Sequence, residues 1–391
     1  MKKRILFVLP SFTFGGTVFS TLNMISLLDK EKYDISVFAM THEGPVSEYY
    51  KGYYVLPEIP ELSLLFGHFD KEKNVFRKMM AACLKLSDRV CSKLGVDFKL
   101  HLYRKYAKKL QSQGFDYVAS CQEGYASKFV SCFFGPLKIA WFRSEYSVFK
   151  DQLSDYEKGL QSSIYHSFDK IVCVSHITRD DFVSFFPDLD NRTFAIHNIQ
   201  NTKEIEKKAN CIVSDPLDDS NFSIVSVGRI APQKQFHKIP EIAAKLKEKG
   251  CQFRWYIIGD GNSGGENDKL QSNIVKFDVA KEVICMGCRL NPYPYIKQAN
   301  LCVNTSYYEA CPRVVIESKI LHTPVVCTDF SSAKEFVTSD VDGYVDKLEN
   351  LPTVISSLIE DNVLYRRIKK VCDNYTFNCR VIADQLDELF A

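Results

Sequence analysis

Apolar runs of five to seven residues alternate along the chain with longer stretches that mix polar and apolar positions at helical spacing. The runs are apolar at nearly every position and rich in Val, Ile and Phe, the pattern of strands buried on both faces of a parallel sheet. In the first half they predict strands at 4-RILFVL-9, 34-DISVFAM-40, 116-DYVAS-120, 138-KIAWF-142, 170-KIVCVS-175 and 193-TFAIHN-198, with a helix over about Val18–Leu28. Residues 203–220 turn polar and become acidic at 214-SDPLDDSN-221, which reads as a linker. The alternation then restarts, with strands at 222-FSIVSVG-228, 253-FRWYIIG-259, 282-EVICMG-287, 301-LCVNT-305 and 324-PVVCT-328, and helices at about 237–249, 313–321 and 350–360.

Two successive α/β halves predict two doubly wound, Rossmann-like parallel-sheet domains facing a central cleft, with ligands at the carboxyl ends of the strands. The expected division is 1–205, 206–375 and a C-terminal helix in 376–391 that packs back on the N-terminal domain. A length of 391 residues suits two cores.

Composition narrows the picture in three places. The formal net charge is +2, so no global field points to nucleic acid. Most of the 14 cysteines lie in apolar runs and read as reduced, buried thiols of a cytoplasmic protein; the CxxC at Cys285 and Cys288 stands without a second pair. The N-terminal apolar run Ile5–Leu9 ends at Pro10 and reads as a first strand, not a leader. Residues 70–110 differ from the rest, with twelve Lys/Arg against four Asp/Glu, interleaved with Phe76, Met79, Met80, Leu84, Leu86, Val90 and Leu94. That composition fits a basic amphipathic segment on an anionic membrane surface, or a solvated helical face packed on its own core.

Candidate chemistry gathers at strand ends. Gly228-Arg229 closes one strand, and Lys234 follows within the same short loop before a helix; two cations with free backbone N–H groups suit a diphosphate. Gly15-Gly16 sits just before the first helix and also permits a phosphate to approach the backbone. In 306-SYYEACPRVVIES-318, Glu309 falls in a loop and Glu317 about one turn into the helix that starts near Pro312 or Arg313. Two such carboxylates reach different parts of one ligand, or else simply favour a helix dipole. The stretch 259-GDGNSG-264 fits GxGxxG but lies in the second unit of the second half, where a dinucleotide fingerprint does not belong. No His/Cys/carboxylate spacing marks a metal site.

The order GG after strand one, GR-x4-K, IGDG and YYEACPRVVIE resembles the GT-B retaining glycosyltransferases of family four (glycosyl transferases group one), most strongly over 222–345. The resemblance implies an N-terminal acceptor-binding and a C-terminal nucleotide-sugar-binding domain. It implies that Arg229 and Lys234 neutralise the donor diphosphate and that Glu309 lies beside the donor sugar, making these three the catalytic set. Gly15, Gly16, Gly228, Met286, Arg289, Ala310, Cys311, Pro312, Arg313 and Glu317 become donor-binding, with Glu317 on the ribose hydroxyls and Met286–Arg289 by the nucleobase. Ala310 and Gln235 stand where the family usually has glycine, and Arg143 where a histidine often stands; Arg143 is a candidate contact to donor or acceptor but not a base.

The function so implied is transfer of a sugar from a UDP- or GDP-linked donor, with retention and without metal or other cofactor. The acceptor is a glycan or lipid-linked saccharide, in cell-surface polysaccharide or glycoconjugate biosynthesis at the inner face of the cell membrane. The competing readings are a catalytically degenerate GT-B scaffold subunit and a dinucleotide-dependent oxidoreductase resting on 259–264.

Overall fold

A computed structural model describes residues 2–13, 15–42, 44–67 and 72–391. The chain divides into a first unit, Met1–Ile199 with Arg380–Ala391, and a second unit, Gln200–Cys379. The first contains strands β1 (Lys3–Ser11), β2 (Tyr33–Thr41), β3 (Tyr54–Val55), β4 (Tyr117–Ser120), β5 (Leu137–Phe142), β6 (Lys170–Cys173) and β7 (Thr193–Ala195). The second contains β8 (Phe222–Val227), β9 (Phe253–Ile258), β10 (Val283–Gly287), β11 (Leu301–Asn304), β12 (Val325–Thr328) and β13 (Gly343–Asp346).

Both sheets are parallel and doubly wound. Their orders are β3-β2-β1-β4-β5-β6-β7 and β10-β9-β8-β11-β12-β13. In each, the order reverses beside the unit's first strand, and a crevice opens there at the carboxyl ends of the strands. In the first unit that point lies between β1 and β4; in the second, between β8 and β11.

The consecutive apolar runs are explained by burial on two faces. Along β8 and β9, Ile224, Trp255 and Ile257 belong to one core, while Val225, Tyr256 and Ile258 belong to another. Neighbouring residues of a strand point to opposite faces, so both must be apolar when helices cover both. The unpredicted strands are the edges: β3 is two residues long, and β13, 343-GYVD-346, buries only its glycine.

The unit boundaries fall at 199/200 and 379/380, not at 205/206 and 375/376. The stretch read as a linker opens with a helix, Thr202–Ala209, whose Ile205 and Ala209 sit in a core of the second unit. Tyr375 and Phe377 pack against that same core.

Residues 70–110 resolve into two helices with different surroundings; Asp70 and Lys71 lie outside the described residues. Helix Phe98–Gln111 sends Leu102, Tyr103, Tyr106, Ala107 and Leu110 into the first unit's core. Helix Val75–Lys93 buries only Ala81. Among the described residues no helix is long and apolar enough to cross a membrane.

The last helix, Cys379–Leu389, leads into Phe390, which completes the first unit. The Phe390 ring lies 5.9 Å from Phe7, 5.5 Å from Tyr117 and 6.2 Å from Trp141, against which it stacks. Lys170 donates to the Leu389 carbonyl at 2.6 Å and Lys3 to the Phe390 carbonyl at 3.0 Å. Two cations thus meet carbonyls left unpaired at a helix C-terminus, where the dipole favours them.

Phe390→Ala is expected to destabilise the first unit by about 3–5 kcal/mol, the usual cost of emptying a buried Phe site. The two tryptophans, Trp141 and Trp255, fall one in each unit. Fluorotryptophan NMR during urea unfolding should therefore show the Trp141 resonance shifting to a lower midpoint while that of Trp255 moves less.

Candidate functional site

Two loops meet at the β8/β11 crevice of the second unit. The first leaves β8 through Gly228 and Arg229 and passes through two 3-10 turns, Pro232–Lys234 and Phe236–Lys238, into helix Ile239–Glu248. The second leaves β11, runs through Thr305–Pro312, and enters helix Arg313–Ile320 with Pro312 as its N-cap.

Hydrogen bonds stitch the two loops together. The Tyr307 N–H donates to the Gln233 carbonyl at 2.8 Å, and the Gln233 side-chain amide to the Tyr308 carbonyl at 2.8 Å. Thr305 Oγ1 donates to the Lys234 carbonyl at 2.7 Å. At the centre, Lys234 Nζ pairs with Glu309 Oε1. The same carboxylate oxygen accepts Ser306 Oγ at 2.7 Å, and the Glu309 carbonyl accepts Ser332 Oγ at 2.6 Å. Glu309 is therefore nearly buried yet satisfied, with its side chain and backbone both fixed. Arg229 is exposed and makes no hydrogen bond or ion pair to a described residue. Burial pushes the neighbouring Tyr308 hydroxyl up in pKa, reinforced by the charge of Glu309 and opposed by that of Arg229.

One turn along the helix, Glu317 is also buried. Its Oε1 accepts Arg313 Nη2 at 2.7 Å and the Tyr293 hydroxyl at 3.3 Å. Burial, and then the Glu317 charge, raise the Tyr293 pKa strongly, so this phenol stays a donor to the carboxylate.

The two places where glycine was expected differ. Gln235 has φ 51° and ψ 31°, the left-handed region that glycine enters freely and other residues enter at a cost of about 1–2 kcal/mol. The bend between the two 3-10 turns thus keeps its shape despite the residue. Ala310, by contrast, has no positive φ and is buried.

The glycines of 259-GDGNSG-264 have a packing explanation. A Cβ on Gly259 would stand 1.8 Å from the Gly228 carbonyl oxygen, and one on Gly261 would stand 3.2 Å from that of Ile230. The Ile230 N–H donates to the Asp260 carbonyl at 2.8 Å. This segment is the floor under the Gly228–Ile230 loop.

Met286 packs against a core cluster, and Arg289 Nη2 reaches Asp215 Oδ2 at 2.5 Å. Tyr295 bonds the other oxygen of Asp215, also at 2.5 Å. Those two donors, Tyr295 first, hold Asp215 below the usual carboxylate range. The Arg289 side chain is thus tied to the acidic stretch that precedes β8.

Gly15, Gly16 and Arg143 belong to the first unit. Gly15 is the N-cap of helix Gly16–Leu27, which has no side-chain cap and no acid in its first turn. Arg143 follows β5 and clamps neighbouring elements. Its Nε donates to the Cys121 carbonyl at 2.6 Å, Nη1 to Asn198 Oδ1 at 2.7 Å and Nη2 to Thr21 Oγ1 at 3.4 Å. Its own N–H meets Glu123 Oε2 at 2.8 Å, while Ser144 holds Oε1 at 2.6 Å.

The structure thus brings Gly228, Arg229, Lys234, Glu309, Ala310 and Cys311 to one crevice, with Pro312, Arg313 and Glu317 on the next turn. Residues 209–371 match the family model described as glycosyl transferases group 1. The second unit is a group 1 glycosyltransferase domain. Among curated relatives, an uncharacterized glycosyltransferase of Methanocaldococcus jannaschii is 26% identical over 206 residues, 49% of this chain and 48% of that protein. An N-acetylgalactosamine-N,N'-diacetylbacillosaminyl-diphospho-undecaprenol 4-alpha-N-acetylgalactosaminyltransferase of Campylobacter jejuni is 27% identical over 216 residues, 54% of this chain and 56% of that protein. The chain spans about half the length of the curated relatives it matches. The Anabaena protein HepE, solved with UDP, superposes with a TM-score of 0.71 at 16% identity, covering 100% of this chain and 99% of the other. At that identity the likeness establishes the fold, GT-B, and nothing finer.

Within the glycosyltransferase domain, spacing alone did not reveal Ser306, Ser332, Thr305, Gln233 or Tyr293. Ser306 opens the stretch that holds Glu309, and its position just past a strand end is the available signal. Tyr293 carried none.

Gln235→Gly is expected to stabilise the second unit by up to about 1 kcal/mol, as left-handed strain is relieved against the added freedom of the unfolded chain. Urea unfolding measures it, and a loss of stability would show that the Gln235 side chain makes a contact worth more than the strain.

Proposed function

We propose that the chain is a retaining glycosyltransferase that takes a sugar from a nucleoside-diphosphate donor and passes it to a glycan or lipid-linked saccharide in cell-surface polysaccharide or glycoconjugate biosynthesis. The observation that carries this reading is the β8/β11 crevice, where exposed Arg229, Lys234 and the fixed carboxylate Glu309 converge. Breaking a sugar–diphosphate bond builds negative charge on the phosphates and positive charge on the sugar ring. Preplaced cations beside the phosphates act where that charge grows. Arg229 offers a planar fork and Lys234 a point charge, so the chain itself supplies the neutralisation that a metal would otherwise give.

Glu309 lies beside the donor sugar in this reading, with the backbone of Ala310 and Cys311 toward its hydroxyls. Glu317, held by Arg313 and Tyr293 through one oxygen, takes the ribose hydroxyls. The side chains of Met286 and Arg289 are committed inside the domain, so the base would be met chiefly by backbone around Gly287 and Cys288. Gly15 and Gly16, at an uncapped helix start, would receive phosphate. Arg143 would act by holding strand ends in place. The acceptor attacks on the face the diphosphate leaves, and a phosphate oxygen takes its proton. Support for the donor class and acceptor class comes from the names of similar proteins: HepE was solved with UDP-glucose, and an Escherichia coli relative is named for transfer from UDP-Gal to GlcNAc-diphosphoundecaprenol.

A thermal-shift panel of UDP, GDP, ADP and NAD(P) should show stabilisation by UDP or GDP, and none by NAD(P). Arg229→Ala and Lys234→Ala should each lower kcat by roughly 100-fold or more, the scale of losing a donor to developing charge. Turnover should persist in EDTA. Near-normal rates in both variants would sink the assignment.

The Lys234–Glu309 pair gives a sharper test, because donor binding must share Lys234 between the carboxylate and a phosphate. Glu309→Gln should keep or raise affinity for the nucleoside diphosphate while kcat for transfer collapses. Titration calorimetry against single-turnover rates separates the two; parallel losses in both would mean that Glu309 only props the loop.

A further inference from the structure

We propose that the outer face of helix Val75–Lys93, continued by Leu94, is a docking surface for an anionic lipid bilayer, into which Phe76, Met79, Leu86 and Leu94 insert. The helix has two opposed sides. Its inner side is anchored to the first unit: Ala81 is buried, Leu84 packs against the core, and Lys85 donates to the Gly67 carbonyl at 3.2 Å. Arg77 pairs with Glu58 at 2.7 Å and Glu72 at 2.8 Å. Positions 76, 79, 83, 86, 90 and 94 recur every three or four residues. At about 100° per residue they form a stripe on the side of the helix away from that anchored face. The exposures are 75% for Phe76, 63% for Met79, 62% for Leu86, 49% for Val90 and 74% for Leu94. Single exposed apolar residues are ordinary; a continuous stripe of this length on one helix marks an interaction surface.

Charge selects the occupant. Among the described residues the acids of this region are already matched, Glu72 by Arg77, Asp88 by Lys99 at 3.1 Å and Asp97 by Lys128. Lys73, Arg89 and Lys93 are exposed and have no ion-pair partner among the described residues. On the following helix Arg104, Lys105, Lys108 and Lys109 are exposed as well, while its apolar side is spent in the core. An apolar ridge with cationic shoulders complements anionic headgroups above acyl chains. Two copies of the same ridge would set like charges against each other, which disfavours pairing with a second copy. The surface thus narrows the basic segment to one helix, with the second helix serving as its packed base. It deepens the proposed function by placing the protein where a lipid-linked acceptor would be met, and rests on that reading only for the acceptor.

The test is flotation of the full chain with phosphatidylcholine vesicles, with and without phosphatidylglycerol. Binding is expected only when phosphatidylglycerol is present, and should weaken as salt is raised. The variant Met79→Ser/Leu86→Ser/Leu94→Ser should bind about ten-fold less or weaker, with an unchanged thermal midpoint, because these side chains bury little in the fold. Arg89→Gln/Lys93→Gln should lose the preference for the anionic lipid. Absence of binding by the native chain, or undiminished binding by the triple variant, overturns the proposal. So does a concentration-dependent dimer in sedimentation that the triple variant abolishes, which would assign the ridge to a second copy. Nucleotide-induced thermal shifts are independent of all these readouts, so failure of the docking surface and failure of the glycosyltransferase reading are told apart.

Discussion

The Lys234–Glu309 ion pair is the contact on which the second unit's crevice depends. It joins two residues 75 apart in the chain, on loops that leave strands adjacent in the sheet. Both partners are largely removed from solvent, so each needs the other: an unpaired charge in such a place costs several kcal/mol. Ser306 shares the same carboxylate oxygen, and Ser332 and Thr305 tie the backbones on either side. The geometry is therefore set before any ligand arrives, as electrostatic preorganisation requires. Arg229, exposed beside it, is the cation left uncommitted to the loop's own architecture.

The sheets supply the frame. A parallel sheet cannot be built from hairpins, so every strand returns through a helix or long loop and all carboxyl ends lie on one edge. The reversal of strand order next to β8 prevents the connecting segments from covering that edge, and the two loops meet in the space left open. Gly259 shows how tight this frame is: a methyl group there would collide with the carbonyl of Gly228, so at that point backbone meets backbone under the loop.

Much of this was legible because burial on two faces writes itself into consecutive apolar residues. Eleven of the thirteen strands stood out, most of them for that reason, and the crevice followed from which runs ended in Gly-Arg or in a glutamate. Two of the four edge strands were not legible: Tyr54–Val55 is too short to carry a pattern, and Gly343–Asp346 is buried at one residue only. The unit boundary was misplaced because helix Thr202–Ala209 is polar in six of eight positions, and its attachment to the second unit rests on Ile205 and Ala209. The catalytic candidates were readable by type and order. Their supporting hydroxyls were not, since a serine that braces a carboxylate has no spacing rule. Nor could spacing reveal that Gln235 adopts the left-handed bend that a glycine would, or that Arg143 and Arg289 are engaged by neighbours within their own units.

The return of the chain to its first unit has a temporal consequence. The face of the first sheet that holds Phe7, Tyr117 and Trp141 is completed by Phe390, yet residues 200–379 must be made in between. At ordinary synthesis rates that interval is on the order of ten seconds or more. Throughout it the nascent first unit presents an aromatic surface with its last piece missing, while the second unit, contiguous in sequence, has all its parts as soon as residue 379 is made. The order of emergence from the ribosome is thus the reverse of the order in which the two units can be finished.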